Sequence, residues 1–496
     1  MPAVDIPAPV SGWNATASLA EMKPTEAISM VNWIPRGTYV ESRRGRSLHV
    51  SGLGGTVESL IAYRGTSANK LLACANGNIW DATGTPSSLK SGLGNNFWQS
   101  THHTNRVIMT NGTDTPQVYN GAIADIVVTG VTATTLWGCN TFKGRAFYWQ
   151  QNAQSFWYAA AGAYQGALVE FSLTSVVSKG GTLVQMLTIT KDGGDGVDDL
   201  AVFYFSTGEV LLYQGDDPGS AVNWALVGKF AIGEPMNIRA HARVAGTEIV
   251  ATKDGWVDLS AALTEGRYSE ENSFSSKISV AAQAAALDYA SSTGWACVLY
   301  PVGNMMLINI PISATESIQH VRDTASGGWA KFTNWNARSM CVHNDLLYFG
   351  DASGNVFLAD TGLSDNLSEI PLSAICAFNS LGSNSRRKLL TAASIVSNYQ
   401  QPRLWALDGL GDYDLTLRST VQTDSALSTT GSPWDTSVWD TAAWDTPAGV
   451  TPAQPRSWRN LSASGYKIAV SLRLNSKAQN IVWYSTGLIF KNAGAI

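Results

Sequence analysis

Charge is scarce in this chain. Only 14% of its 496 residues are Asp, Glu, Lys or Arg, well under the quarter or so found in an ordinary globular domain. The balance is 33 basic against 38 acidic residues, a net −5. That argues against tight general binding of nucleic acid, which depends on clustered Lys and Arg neutralising phosphates. It leaves room for a channel through which DNA passes without sticking. Cysteine is scarce too. Cys74, Cys139, Cys297, Cys341 and Cys376 stand far apart, with no Cys-x-x-Cys and no metal spacing. An odd, dispersed set reads as buried thiols in a chain folded in a reducing compartment. No apolar run approaches the ~18 residues of a bilayer-spanning helix. The start, Met-Pro-Ala-Val-Asp-Ile, has neither the basic head nor the apolar core of a secretory signal.

Catalytic signatures are missing as well: there is no Gly-x-Ser-x-Gly elbow, no His-Glu-x-x-His and no P-loop. His102-His103 is the one histidine pair, and a surface turn explains it more cheaply than a metal. The other histidines are scattered through strand-like runs and read as core or edge residues. The expectation is therefore no enzyme and no cofactor. What the chain has in quantity is Gly (46) and Trp (18). Low charge with this pair suits a β-rich protein whose surface is covered in an assembly. A secreted carbohydrate-active protein has the same profile.

Strand-like runs dominate the middle of the chain. Leu200–Phe205, Glu209–Tyr213, Trp224–Ile232 and Glu248–Ala251 are rich in β-branched and aromatic residues, and each ends at Gly, Pro or Asp. Asp216-Asp217-Pro218-Gly219 has the residues a turn needs: Asp to bond its own backbone, Pro to preset φ, Gly for positive φ. The four runs read as an antiparallel meander. One meander cannot bury both its faces, so it requires neighbours like itself.

Such neighbours recur. A turn, a Gly, a polar residue and an apolar run repeat at Gly208, Gly255, Gly303 and Gly354, spaced 47, 48 and 51 residues apart, with earlier copies at Gly77 and Gly112. A period of about 40–50 residues is that of a four-stranded β-propeller blade. The fold class predicted is all-β: an N-terminal arm over 1–46, a propeller of about six blades over 47–365, and a β-sandwich-like domain over 366–496. Pro2, Pro7, Pro9 and Pro24 keep the arm extended, with a short helix over Thr25–Val31. The alanine-rich Ile278–Tyr289 is the clearest helix.

The opening Pro-Ala-Pro-Val-Ser-Gly-Trp-Asn, then Ser-Leu-Ala-Glu-Met-Lys-Pro, Asn32-Trp33-Ile34-Pro35 and Arg44-Gly45 follow in a particular order. So do Asp192-Gly-Gly-Asp195-Gly-Val-Asp198-Asp199, Ser206-Thr-Gly-Glu-Val, Tyr213-Gln-Gly-Asp-Asp-Pro218 and Asp254-Gly255. In that order they resemble the tail nozzle, or tail-tube, proteins of short-tailed bacteriophages, also known as packaged-DNA stabilisation proteins. The resemblance touches the arm, the repeats and the C-terminal third. It implies a structural virion protein in the tail, assembled in the host cytoplasm as a ring of six. Its partners would be copies of itself, the tail adaptor or portal-proximal protein, and fibre or needle proteins. Genome DNA would pass through without specific binding, and no membrane is involved. The alternative is a carbohydrate-binding or carbohydrate-active propeller.

Three groups stand out as candidate sites. Arg43, Arg44 and Arg46 are the densest basic cluster: either a solvated strand-turn or a contact to an acidic partner or DNA phosphate. Trp434, Trp439 and Trp444 recur every five residues in Trp-Asp-Thr triplets. That period fits neither a helix face nor a strand face, so they read as a loop held by tryptophans. They pack on their own domain, form an interface, or offer a glycan platform. Asp192, Asp195, Asp198 and Asp199 lie on a glycine-rich hairpin. Calcium would need a closing acid that the spacing lacks. A solvated hairpin is the plain reading, and a channel lining that repels phosphate is the sharper one.

Overall fold

The computed structural model describes residues 3–192, 197–265, 273–398, 405–421, 458–477 and 479–492. The chain divides into two compact units. One comprises Leu48–Val321 and Thr333–Ala359, the other Met1–Ser47, Arg322–Phe332 and Asp360–Ile496.

The first unit is a β-propeller. Its blades are successive antiparallel meanders that begin with Ser59–Arg64, Gln99–His102, Leu136–Phe142, Leu183–Asp192, His241–Val244, Ala296–Tyr300 and Ser339–His343. Each of these first strands lies against the first strand or first hairpin of the next blade, and Ser339–His343 lies against Ser59–Arg64. The circle therefore closes at seven blades, not six. Two features hid the seventh. The early blades start only 40 and 37 residues apart (59, 99, 136), below the period read from the glycines. And the last blade takes its outer strand, Arg46–Val50, from ahead of the first blade. The meander read over 200–251 is also out of frame by one strand. Leu183–Asp192 opens blade four, and Thr247–Thr252 belongs to blade five. The polar alternation of Leu-Val-Gln-Met-Leu-Thr-Ile-Thr concealed that opening strand.

Strand alternation builds the cores between blades. In Asn69–Ala75, Leu71, Ala73 and Ala75 pack toward blade seven, while Leu72 and Cys74 pack toward blade two. In Val197–Phe205, Ala201, Phe203 and Phe205 join the cluster with blade three, and Leu200, Val202 and Tyr204 the cluster with blade five. A strand buried on both faces needs no polar face, which is why these runs are continuously apolar. Aromatic stacking reinforces the blade three–four contact: Phe156 on Phe203 at 4.6 Å, Phe147 on Trp224 at 6.2 Å. The turn at 216–219 is as read, with Gly219 N–H donating to Asp217 Oδ1 at 3.1 Å. Blade five has three described strands, and the helix Ser279–Asp288 lies beside the last of them, Gly255–Asp258. That helix matches the expected one within a residue or two.

The second unit has two sheets. One runs Arg459–Gly465, Lys388–Asn398, Val482–Asn492, Val40–Ser42, Trp33–Pro35, with Ala3–Pro7 also on Val482–Asn492. The other contains Trp329–Phe332, Gly12–Trp13, Glu26–Val31, Ile370–Cys376, Ile468–Ser476 and Ala406–Gly411. The sheets approach closely at Gly409, where a Cβ would sit 2.8 Å from Ala463 and 3.0 Å from Leu390. So the segment expected as an arm over 1–46 is not free: its described residues supply strands to both sheets. Glu26–Val31 is a strand, not a helix. It pairs with Gly12–Trp13 and with Ile370–Cys376, and these tertiary bonds outweigh the small helix propensity of six residues. No helix among the described residues is long and apolar enough to cross a membrane.

Candidate functional site at the propeller axis

The segment that leads into blade five crosses the axis of the propeller. Its backbone is held from both sides. Met236 N–H donates to Ala251 O at 3.0 Å, Gln185 Nε2 donates to Asn237 O at 2.5 Å, and Cys297 N–H donates to Arg239 O at 3.2 Å. Asn237 caps the turn by accepting from Arg239 N–H at 2.8 Å, and its Nδ2 donates to Trp295 O at 3.2 Å.

From this segment the Arg239 side chain reaches the opposite side of the ring. Nη1 donates to Glu58 O at 2.5 Å, and Nη2 donates to Ser59 Oγ at 2.6 Å and to Trp98 O at 2.5 Å. Nε points at Gln99 Oε1 at 3.4 Å, and Cζ lies 3.8 Å from the centroid of Phe97. One guanidinium thus ties blade five to the first strands of blades one and two. Its five-donor fork suits three carbonyl and hydroxyl acceptors at once, which a lysine could not match. Burial is the main influence on its basicity and pulls the pKa down from 12.5 to about 10. It remains charged at neutral pH.

Beside this strut is a cavity of about 90 Å³, lined by polar and apolar side chains that include Gln99, Asn140, Gln185 and His241. Gln99 Nε2 and Gln185 Oε1 are buried without a partner among the described residues, one a donor and one an acceptor. The space exceeds the ~10–15 Å³ that one water needs. Cys139 is its one thiol, and burial pushes it up to about 12, far from nucleophilic range at neutral pH. His241 is engaged by Glu248, Nδ1 to Oε2 at 3.1 Å. The arrangement can hold water or a small neutral polar group, and it locks the ring. It does not assemble an acid, a base and a nucleophile around one point.

The residues singled out in the sequence fare differently. Arg43 is only 1% exposed. Its fork grips Asp365 in two bonds of 2.8 and 2.6 Å, its Nε donates to Asn32 Oδ1 at 2.9 Å, and its Cζ lies 5.8 Å from the Phe332 ring. It is an internal strut of the second unit, so it offers nothing to a partner. Arg44 is exposed and Arg46 half-buried. Trp434, Trp439, Trp444 and Asp195 lie outside the described residues. Asp192 ends the first strand of blade four, and Asp198 and Asp199 lie on its second. Asp199 Oδ1 accepts from Thr190 Oγ1 at 2.8 Å. Among the described residues no cluster of three His, Cys, Asp or Glu is arranged to hold a metal. The cysteines match their reading: all but Cys341 are buried. Arg239 escaped sequence reasoning because Met-Asn-Ile-Arg-Ala-His contains no motif. Its partners stand some 140 and 180 residues away.

No protein-family model matches the chain, and no curated protein does. Among solved structures it is similar to BBS1N in complex with ARL6DN, with a TM-score of 0.40 and 9% identity over 66% of this chain and 97% of that one. It is also similar to the β-propeller domain of Myceliophteria thermophila Cps50 (Swd1), at 0.41 and 10% over 64% and 99%. A third is Chaetomium thermophilum Raptor, at 0.40 and 11% over 65% and 28%. The propeller assignment rests on the order of the sheets and the closure of the ring.

Proposed function

We propose that this chain is a structural protein of a short-tailed bacteriophage tail, one copy in a ring of six that prolongs the DNA channel below the portal and adaptor. It would retain the packaged genome and let it pass at ejection. The order of motifs along the chain supports this reading. The observation that carries it furthest in the structure is Arg239 across the propeller axis. A strut there leaves no passage through the propeller, so any DNA conduit has to form between copies, with propellers as wall. Retention would then be steric, with no covalent chemistry asked of the chain.

A carbohydrate-active reading draws on the tryptophans. Trp33, Trp98, Trp256, Trp295, Trp329, Trp335 and Trp483 are, however, less than 2% exposed. They serve the cores and cannot act as sugar platforms.

The test is light scattering and low-resolution imaging of the purified full chain, alone and mixed with the tail adaptor of the same phage. Rings with an open centre are expected, at least with the adaptor. A monomer under both conditions refutes the reading, and so does turnover or specific binding on a glycan array.

A further inference from the structure

The first strands of the propeller start at the end of the axis held by Arg239 and finish at the other. At that far end three hairpins are stitched together. Asn69 Nδ2 of blade one donates to Asn344 Oδ1 of blade seven at 2.6 Å. Thr66 N–H donates to Asn105 Oδ1 of blade two at 3.0 Å, and Asn105 Nδ2 returns to Thr66 Oγ1 at 3.3 Å. Arg64, His102 and His343 are the terminal residues of the first strands of blades one, two and seven. They therefore share this shelf.

Arg64 and His343 are each short of a counterpart, while the exposed His102 has one bond, to the Ala62 backbone. Arg64 is exposed, and its guanidinium, unlike its strand-paired backbone, has no hydrogen bond or ion pair among the described residues. The nearby Asp81 is already taken by Lys70, Nζ to Oδ2 at 2.7 Å. His343 is 3% exposed. Asn344 Nδ2 lies 3.1 Å from its Nε2. An amide NH₂ can only donate, so Nε2 keeps its lone pair and the ring proton sits on Nδ1. That buried Nδ1–H has no acceptor among the described residues, a deficit that destabilises the chain unless something supplies one.

We propose that Arg64, His102 and His343 form an oxyanion site at this mouth of the propeller axis, filled by a carboxylate from an acidic segment of a partner protein. A guanidinium fork and an orphan N–H are what a carboxylate accepts from. A nucleic acid would bring a row of phosphates instead. One guanidinium is not the cluster of Lys and Arg that such a row requires. This site is independent of the tail reading.

The site strengthens in acid. Burial pulls His343 below its ordinary value, Arg64 and then His49 add to this, and Asp81 opposes them. Burial and then Arg64 pull His102 down, against the hydrogen bond its ring N–H donates to the Ala62 backbone carbonyl. Tyr348 lies between His49 and His343, its ring 4.9 and 6.2 Å from theirs. A bound carboxylate cancels the Arg64 field and favours both imidazolium forms. By linkage, affinity then rises as pH falls, by up to tenfold for each unit that one histidine moves.

The test uses the full chain with its six histidines labelled at Cε1, titrated by NMR from pH 8 to 5 with and without a hexaglutamate peptide. The expected results are upward movement of the His102 and His343 titrations with peptide, and at least tenfold tighter binding at pH 5.5 than at pH 8. In R64Q the peptide-free His102 and His343 titrations should move up, while peptide binding at pH 5.5 weakens at least tenfold. Unchanged signals from His241 and His320 establish that R64Q is folded, and H102Q gives a second exposed variant. Equal binding by R64Q and the parent chain overturns the proposal. So does pH-independent binding, or tighter binding of a thymidine decamer than of hexaglutamate.

Discussion

Replacing Arg239 by alanine removes the axial strut and leaves the folded cores untouched. The magnitude follows from its contacts. Three short bonds run from one cation to Glu58 O, Ser59 Oγ and Trp98 O. Hydrogen bonds to charged groups contribute about 1.5–3 kcal/mol each, so the three are worth ~4–9 kcal/mol before offsets. Against this stands the cost of holding the guanidinium out of water. The drop from 12.5 to about 10 corresponds to ~3 kcal/mol. The difference leaves about 3 kcal/mol, or a melting shift of ~5 °C for a unit of this size. Arg239→Lys should recover less than half, because an ammonium cannot span three acceptors on two sides of a fork. Hydrogen exchange read by mass spectrometry gives the local assay. Peptides covering 58–62, 97–101 and 236–241 should exchange faster in Arg239→Ala, while 200–215 stays unchanged. A melting shift under 1 °C, with protection intact in all of these peptides, refutes the strut.

Leu211 is fully buried in the cluster shared by blades three and four, so Leu211→Asp places an unpaired carboxylate there. The soluble yield and the normal elution profile should be lost; a normal profile sinks the inter-blade packing. Glu209 is 2% exposed. Burial would raise its pKa, but the N–H groups of Lys179 and Ser178 and the Lys229 ammonium bring it down to about 2. Its folded pKa thus lies below the unfolded one, so it stabilises blade four above about pH 4.5 and loses that stabilisation as pH falls toward 2. Glu209→Gln should cost about 2 kcal/mol at pH 7 and nothing at pH 2, measured by denaturant titration at both. Asp360 goes the other way: burial raises it from 3.8 to about 6, with Arg44 and Arg36 opposing. Stability falls as pH rises from about 4 to 6, so Asp360→Asn should gain up to ~2 kcal/mol at pH 8 and nothing at pH 3.5. An equal effect at both pH values refutes the assignment.

Much of the fold was legible because its signals are local. The apolar runs at 200–205 and 209–213, the turn at 216–219 and the helix near 279–288 depend only on neighbours in sequence. The opening strand of blade four was missed because its Gln and Thr residues interrupt the apolar run. The 26–31 strand was missed because its pairing partners lie far away, at 370–376. The axial site left no trace at all, since one arginine without a motif looks like any other.

Composition and spacing alone therefore determined that this is a β protein of stacked repeats with buried thiols and no recognisable catalytic motif. Those are sums over short windows of chain. Tertiary structure alone decided that the ring closes at seven, that residues 3–42 are woven into the second unit, that Arg43 is spent on Asp365 while Arg64 is free, and that Arg239 bars the axis. The reason is physical: whether a charge is paired, or a strand has an edge left open, depends on which distant residue folding brings within about 3 Å, and no window of sequence contains both partners.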